Sequence, residues 1–204
     1  MAKIADYQDK GDYEGAGHFM GTETDIHVAA GMHGILIATN TMHKSAPIVK
    51  EYLDKTPGVE LLHIADPVAA EIKRLKLTRV ALFGTKVTME DGFYQRDLMD
   101  RLSPEGEPEY ELEIITPEES CRDFVHHAIF NEYMQQKFMD DTKRKMLTLI
   151  EEMHNKGAQA IIQGCTELSL HVTQEDTDIA LLDTTNLHSK YAAKFALANT
   201  QYAI

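Results

Sequence analysis

Six short runs rich in Val, Ile and Leu recur along the chain, separated by longer amphipathic stretches. They are residues 34–38 (GILIA), 59–64 (VELLHI), 79–83 (RVALF), 110–115 (YELEII), 160–164 (AIIQG) and 179–182 (IALL). Each is apolar through its centre rather than alternating, which suits a strand covered on both faces. The intervening patterns predict helices over 68–75, 88–102, 117–136, 140–155 and 185–199. Asp66-Pro67 offers a cap and a first-turn proline for the first of these. Glu90 and Asp91 fall in the opening turn of the second, where they complement the helix dipole. Lys156-Gly157 is a stop signal for the fourth. Residues 1–30 read as a helix with an interruption at Gly21-Thr22-Glu23-Thr24. Strand and helix alternating in this way predict an α/β fold with parallel sheets.

The chain also carries an internal repeat. Residues 30–41 (AGMHGILIATNT) align with residues 156–167 (KGAQAIIQGCTE). Gly31 then matches Gly157, Gly34-Ile35-Leu36 matches Ala160-Ile161-Ile162, and Thr39 falls on Cys165. Asn40-Thr41 falls on Thr166-Glu167. Each copy is followed by a further apolar strand ending in Asp, at Asp66 and Asp183. The second half opens with the strand RVALFGT; nothing like it precedes Gly31, so the first half reads as incomplete at its start.

Composition narrows the function classes. Lys and Arg number 20 against 33 Asp and Glu, a net charge of −13 over 204 residues. Such a surface repels nucleic acid and anionic membranes, so neither is an expected partner. Lys143-Arg144-Lys145 is too short and isolated to change that, and the acidic residues Glu111, Glu113, Glu118, Glu119, Glu151 and Glu152 read as a solvated face. The two cysteines, Cys121 and Cys165, cannot build a disulfide framework or a Cys-rich zinc site. The ten histidines show no HExxH or paired-Cys pattern, so no metal is expected. No glycine-rich phosphate loop occurs. The N-terminus has no apolar signal region and no run approaches the roughly 20 apolar residues of a membrane span, so a cytoplasmic protein is expected.

Ligands of open α/β sheets bind at the carboxyl ends of strands. Three polar turns lie there: residues 39–43 (TNTMH), 84–88 (GTKVT) and 164–167 (GCTE). Hydroxyls, amides and free backbone N–H groups in such turns can cradle a carboxylate, although Thr, Asn and Gly also serve simply to cap helices. Cys165 follows a strand and reads as sitting at a helix N-terminus, where the dipole favours a thiolate; a buried, inert cysteine fits its position equally well.

The motifs TNTMH (39–43), HIAD (63–66), RVALFGTKVTME (79–90), GCTE (164–167) and DTTNLH (183–188) resemble the aspartate/glutamate racemase family, in its broad-specificity bacterial amino-acid racemase branch. The resemblance implies two pseudo-symmetric lobes, each a parallel sheet flanked by helices, with the active site in the cleft between them. Residues 1–76 with 184–204 would form the first lobe and 77–183 the second. It implies racemisation of aspartate or glutamate without pyridoxal or any other cofactor, by two acid/base groups on opposite faces of Cα. Most members use two cysteines. Here Cys165 holds the second position and Thr39 the first. Asn40 and Thr41 match the family's substrate-carboxylate clamp and Thr85 and Thr88 its second-lobe binding turn; Met42, Thr166 and Glu167 are further substrate-binding positions that the resemblance implies.

Glu167 stands where glutamate-specific relatives carry His, which favours the aspartate or broad-specificity branch. Gln135 stands where a related branch carries a lysine for the side-chain carboxylate. The family is usually dimeric, so a homodimer is expected. Family members open with a strand and a Gly-Gly-Met-type turn that this sequence lacks. A truncated non-catalytic homologue, or another isomerase of hydantoin racemase or maleate isomerase type, therefore stands as the alternative.

Overall fold

The repeat is visible in the backbone. In the computed structural model, which describes residues 2–198, helix α2 (Tyr13–Ala29) ends with Gly31 at φ +84°, and helix α8 (Asp140–Asn155) ends with Gly157 at φ +95°. Both endings carry the same pair of bonds. Gly31 N donates to Val28 O and Met32 N to His27 O; Gly157 N donates to His154 O and Ala158 N to Met153 O. This double closure satisfies the last carbonyls of each helix and turns the chain into a strand. Strand β1 (Gly34–Leu36) follows in one copy and β5 (Ala160–Gly164) in the other. Each pairs in parallel with the next apolar strand, β1 with β2 (Glu60–Leu62) and β5 with β6 (Ala180–Asp183).

The described residues divide into two compact units. Residues 2–64 with 188–198 form the first and Ala65–Leu187 the second. In the first, β1 and β2 make a two-stranded sheet in the register Gly34↔Glu60, Ile35↔Leu61 and Leu36↔Leu62. Helices α1 (Ala2–Asp9), α2 and α3 (Ala46–Leu53) complete it, with helix α9 (Thr184–Ala198) from His188 onward. Its core is built from Ala16, Ile35, Ile37, Met42, Ala46, Val49 and Leu53. The expected interruption at Gly21–Thr24 is absent, and α2 runs straight through it. Gly21 and Gly17 let α2 lie close on α3: a Cβ on Gly21 would stand 2.3 Å from the Tyr52 ring, and one on Gly17 would stand 2.9 Å from Ile48. The helix breaks earlier instead, between α1 and α2, where Gly11 takes φ +65°.

The second unit holds a four-stranded parallel sheet in the order β4-β3-β5-β6. Its central strands, β3 (Arg79–Gly84) and β5, are buried along almost their whole length, as their unbroken apolar sequence predicts. Helices α4 (Ala65–Leu75), α5 (Lys86–Glu90), α6 (Phe93–Leu102), α7 (Glu119–His127) and α8 accompany it.

Several element boundaries differ from expectation. Helix α4 begins at Ala65, so Asp66 is not its cap; the Asp66 carboxylate instead pairs with Arg101 on α6. The helix expected over 88–102 is two, because the chain passes through Gly92 at φ +84°. Glu90 therefore closes α5 rather than opening a helix. The helix expected over 117–136 stops at His127 and gives way to a π turn (Ala128–Glu132) and a 3-10 turn (Tyr133–Gln135). Only Glu113–Ile115 of the run at 110–115 forms strand β4. Tyr110 is held outside it, its N–H on Ser103 Oγ at 2.8 Å and its hydroxyl on Leu77 O at 2.9 Å. The closing helix is described to Ala198; Asn199, its expected end, lies outside the described residues.

Candidate functional site

In the first unit the chain leaves β1 through Ile37 and Ala38 and enters the turn that holds Thr39, Asn40, Thr41 and Met42. Thr39 is half-buried, while Asn40, Thr41 and Met42 are buried. A 3-10 turn (Thr41–Ser45) leads directly into α3, whose second residue is Pro47. Asn40 is the residue that precedes this 3-10 turn, and its side chain makes no capping bond to it. Capping therefore does not account for Asn40.

In the second unit two turns sit side by side. Strands β3 and β5 are neighbours in the register Gly84↔Gly164, so Thr85 and Cys165 leave adjacent strands at the same level. Glycine is required at both strand ends by crowding. A Cβ on Gly84 would stand 2.9 Å from Gly164 O, and a Cβ on Gly164 would stand 3.0 Å from Phe83 O. Thr85 caps α5: its Oγ1 accepts from Thr88 N at 3.3 Å and lies 3.1 Å from Thr88 Oγ1. Here the modest reading of a polar turn, as a helix cap, is realised.

Cys165 does not precede an α-helix. Its turn runs into a 3-10 turn of three residues (Leu168–Leu170), too short to supply the dipole expected from the sequence. The residue is buried, with 8% of its surface exposed. Its Sγ donates to Glu167 Oε2 at 3.0 Å, and Thr166 Oγ1 donates to the same oxygen. Burial first, and then the adjacent Glu167 carboxylate, push the thiol well above the usual cysteine range; the N–H groups of Glu167 and Thr166 pull weakly the other way. The resting group is thus a neutral thiol hydrogen-bonded to a carboxylate.

The layer beneath is fastened by side chains that the sequence did not single out. Gln163 Nε2 donates to Val172 O at 2.8 Å, tying the loop after Cys165 back to β5. Thr184 Oγ1 donates to Gln163 O at 2.8 Å. Near that loop, Tyr133, Phe138 and His171 form an aromatic cluster with ring centroids 5.1–6.0 Å apart. Glu132 Oε2, Tyr133 Oη and His171 Nδ1 are buried without hydrogen-bond partners among the described residues. Burial, followed by Lys143, holds the His171 imidazole below the usual histidine range. No spacing marks these residues, because neither the π turn that ends at Glu132 nor the 3-10 turn that begins at Tyr133 has a sequence period long enough to read.

The expected site residues therefore form two groups, Thr39, Asn40, Thr41 and Met42 on one unit, and Thr85, Thr88, Cys165, Thr166 and Glu167 on the other. Gln135 lies in the exposed 3-10 turn after Tyr133, where Lys137 Nζ donates to its Oε1 at 2.9 Å. Among the described residues no group of three His, Cys, Asp or Glu could hold a metal ion, and no helix is long and apolar enough to cross a membrane.

Comparison with solved structures gives the same architecture. A Yersinia pestis protein described as a candidate Asp/Glu racemase is 33% identical, with TM-score 0.83 over 96% of this chain and 80% of its own. An aspartate racemase homologue from Pyrococcus horikoshii OT3 is 26% identical, with TM-score 0.77 over 94% of this chain and 78% of its own. Glutamate racemase from Francisella tularensis, at 18% identity, shares the fold with TM-score 0.66 over 92% of this chain and 66% of its own. The Asp/Glu/hydantoin racemase family model matches residues 3–192. The two parallel sheets, the repeated helix–strand unit and this match across almost the whole chain make the protein a member of the Asp/Glu/hydantoin racemase family.

Proposed function

We propose that the protein interconverts the L and D forms of aspartate, glutamate or both by direct proton transfer at Cα, with no pyridoxal cofactor. The observation that carries this reading is the Cys165 thiol donating to Glu167 at 3.0 Å. Glu167 takes the thiol proton, and the thiolate then removes the α-hydrogen from one face of the bound amino acid. The resulting carbanion takes a proton on its opposite face from the Thr39 hydroxyl, which regains one from solvent as Glu167 releases to solvent the proton it took. The residues assigned to the substrate are Asn40, Thr41 and Met42 on one unit and Thr85, Thr88 and Thr166 on the other; the hydroxyls, the Asn40 amide and backbone N–H groups among them supply the donors for the charge that develops on its carboxylate.

Thr39 makes the two faces unequal, because a hydroxyl is a far weaker acid and base than a thiol near neutral pH. Enantiomers have equal free energy, so kcat/KM for inversion must be equal in the two directions whatever the residues. The inequality appears instead in hydrogen exchange. The enantiomer whose α-hydrogen faces Cys165 exchanges faster than it inverts.

Proton NMR in D₂O tests this with each enantiomer of aspartate and glutamate. Deuterium enters Cα, one enantiomer of the accepted substrate exchanges ahead of inversion, and Cys165→Ser abolishes both processes. Folded protein that exchanges none of the four would overturn the proposal and favour a non-catalytic homologue. Exchange confined to hydantoins would move it to that branch of the family.

A further inference from the structure

We infer that His43 is a positioning residue that holds the backbone carbonyl of Thr39, and through it the Thr39 hydroxyl, in place for proton transfer. This rests on the role proposed above for Thr39. His43 is 1% exposed and both ring nitrogens are engaged. Nδ1 lies 2.8 Å from Thr39 O, and Nε2 lies 3.1 Å from Ile64 N.

A backbone N–H can only donate, so Nε2 must present a lone pair to Ile64. The ring hydrogen of the neutral imidazole is then on Nδ1, where it donates to the Thr39 carbonyl. The other neutral tautomer would oppose a hydrogen to the Ile64 N–H and a lone pair to the carbonyl. The imidazolium would keep the first of these conflicts. One state of the ring therefore satisfies both partners.

The ring acts as a buckle between the carboxyl ends of two paired strands. Thr39 lies three residues beyond β1, and Ile64 lies two residues beyond β2. Its plane is set by its neighbours. The His63 ring packs at 4.3 Å and 68° and the His188 ring at 6.0 Å and 68°, while His188 Nε2 donates to Leu62 O at 2.6 Å. His43 N also donates to Asn40 O at 3.0 Å, so backbone and ring of the same residue grip the turn at two successive carbonyls.

Two substitutions separate positioning from simple core packing, because each keeps one bond. In His43→Asn the amide nitrogen reaches the place of Nδ1 and keeps the bond to Thr39. In His43→Gln the amide oxygen reaches the place of Nε2 and keeps the bond to Ile64. Both lose packing and lower the melting temperature. Only His43→Gln frees the Thr39 carbonyl, so its ratio of inversion to α-deuterium exchange falls about tenfold, while His43→Asn keeps the ratio within about twofold of the parent. KM changes little in either variant.

A second readout does not depend on turnover. The carbonyl ¹³C resonance of Thr39 shifts in His43→Gln and stays in His43→Asn, and ¹⁵N spectra of the parent show the Nδ1–H tautomer at His43. Equal ratios and equal Thr39 shifts in the two variants, or an Nε2–H tautomer in the parent, would overturn the inference. A parent protein that shows the resonance pattern but exchanges no substrate would sink the racemase proposal and leave the His43 buckle standing.

Discussion

Cys165 Sγ and Glu167 Oε2 lie 3.0 Å apart, two residues from each other in the chain, with the thiol donating to the carboxylate. Glu167, the proposed acceptor of the thiol proton, is also one of the groups that keep the thiol protonated. Catalysis by this pair requires the negative charge to pass from Glu167 to sulfur at the moment of reaction, when bound substrate and backbone donors stabilise it. An isolated low-pKa thiolate would not need the neighbour.

Alkylation of Cys165 by iodoacetamide is therefore slow near neutral pH and accelerates as pH rises, since only the thiolate reacts. Glu167→Gln removes the nearby negative charge and speeds this alkylation several-fold at pH 7. The same substitution lowers α-hydrogen exchange, because the thiol loses its proton acceptor. Peptide mass spectrometry measures the first effect, with the half-exposed Cys121 as reference in the same sample. Slower alkylation in the Gln variant would contradict the electrostatic role of Glu167.

Thr39→Cys places a thiol at the proposed second acid/base position. Inversion rises on the order of tenfold in both directions together, and the excess of exchange over inversion for the favoured enantiomer shrinks. Chiral chromatography measures inversion and proton NMR measures exchange. An unchanged excess would place Thr39 away from the reacting carbon.

Gly21→Ala tests the contact between α2 and α3. In an open helix this change stabilises by about 1 kcal/mol. Here the new Cβ would stand 2.3 Å from the Tyr52 ring. The sign therefore reverses, with a loss of about 1–3 kcal/mol as the ring is displaced. A thermal melt at one pH reads it, and Tyr52→Ala in the Gly21→Ala background recovers part of the loss. A raised melting temperature in the single variant would refute the close packing.

Asp97, partly buried on α6, has its carboxyl raised to about 6, chiefly by burial and secondarily by Asp100 and Asp66 against the opposing pull of Arg101 and Arg96. Its folded value lies above the unfolded one. Its contribution to stability is thus fully present below about pH 4 and is lost as pH rises through about 6. Asp97→Asn does not ionise, so its stability gains on the parent across that window. The gain at pH 7 is about 1 kcal/mol, discounted for the solvent that still reaches the group. Chemical denaturation at pH 4 and pH 7 measures it; a gain that does not grow with pH would count against the raised carboxyl.

The fold was legible where one side of a pattern decides it. The unbroken apolar runs at β3 and β5 need cover on both faces, and a parallel sheet with helices on its faces provides it. The aligned glycines at 31 and 157 marked two equivalent helix ends, and both end in the same pair of backbone bonds. Gly21 misled because the pattern cannot distinguish a glycine that breaks a helix from one that admits a neighbouring ring. Gly92 misled in the opposite direction, since the amphipathic pattern continues on both sides of the left-handed turn it makes.

The sequence by itself determined the strand–helix alternation, the repeat, and the motifs that place the chain among the Asp/Glu/hydantoin racemases, since each is written in short runs of consecutive residues. Only the tertiary structure decided the state of the chemistry. The thiol of Cys165 is raised by burial and by a carboxylate folded back onto it. The tautomer of His43 is chosen by Thr39 and by Ile64, which is 21 residues distant. Protonation depends on which dipoles and charges surround a group in space, and a linear order of residues carries no record of those distances.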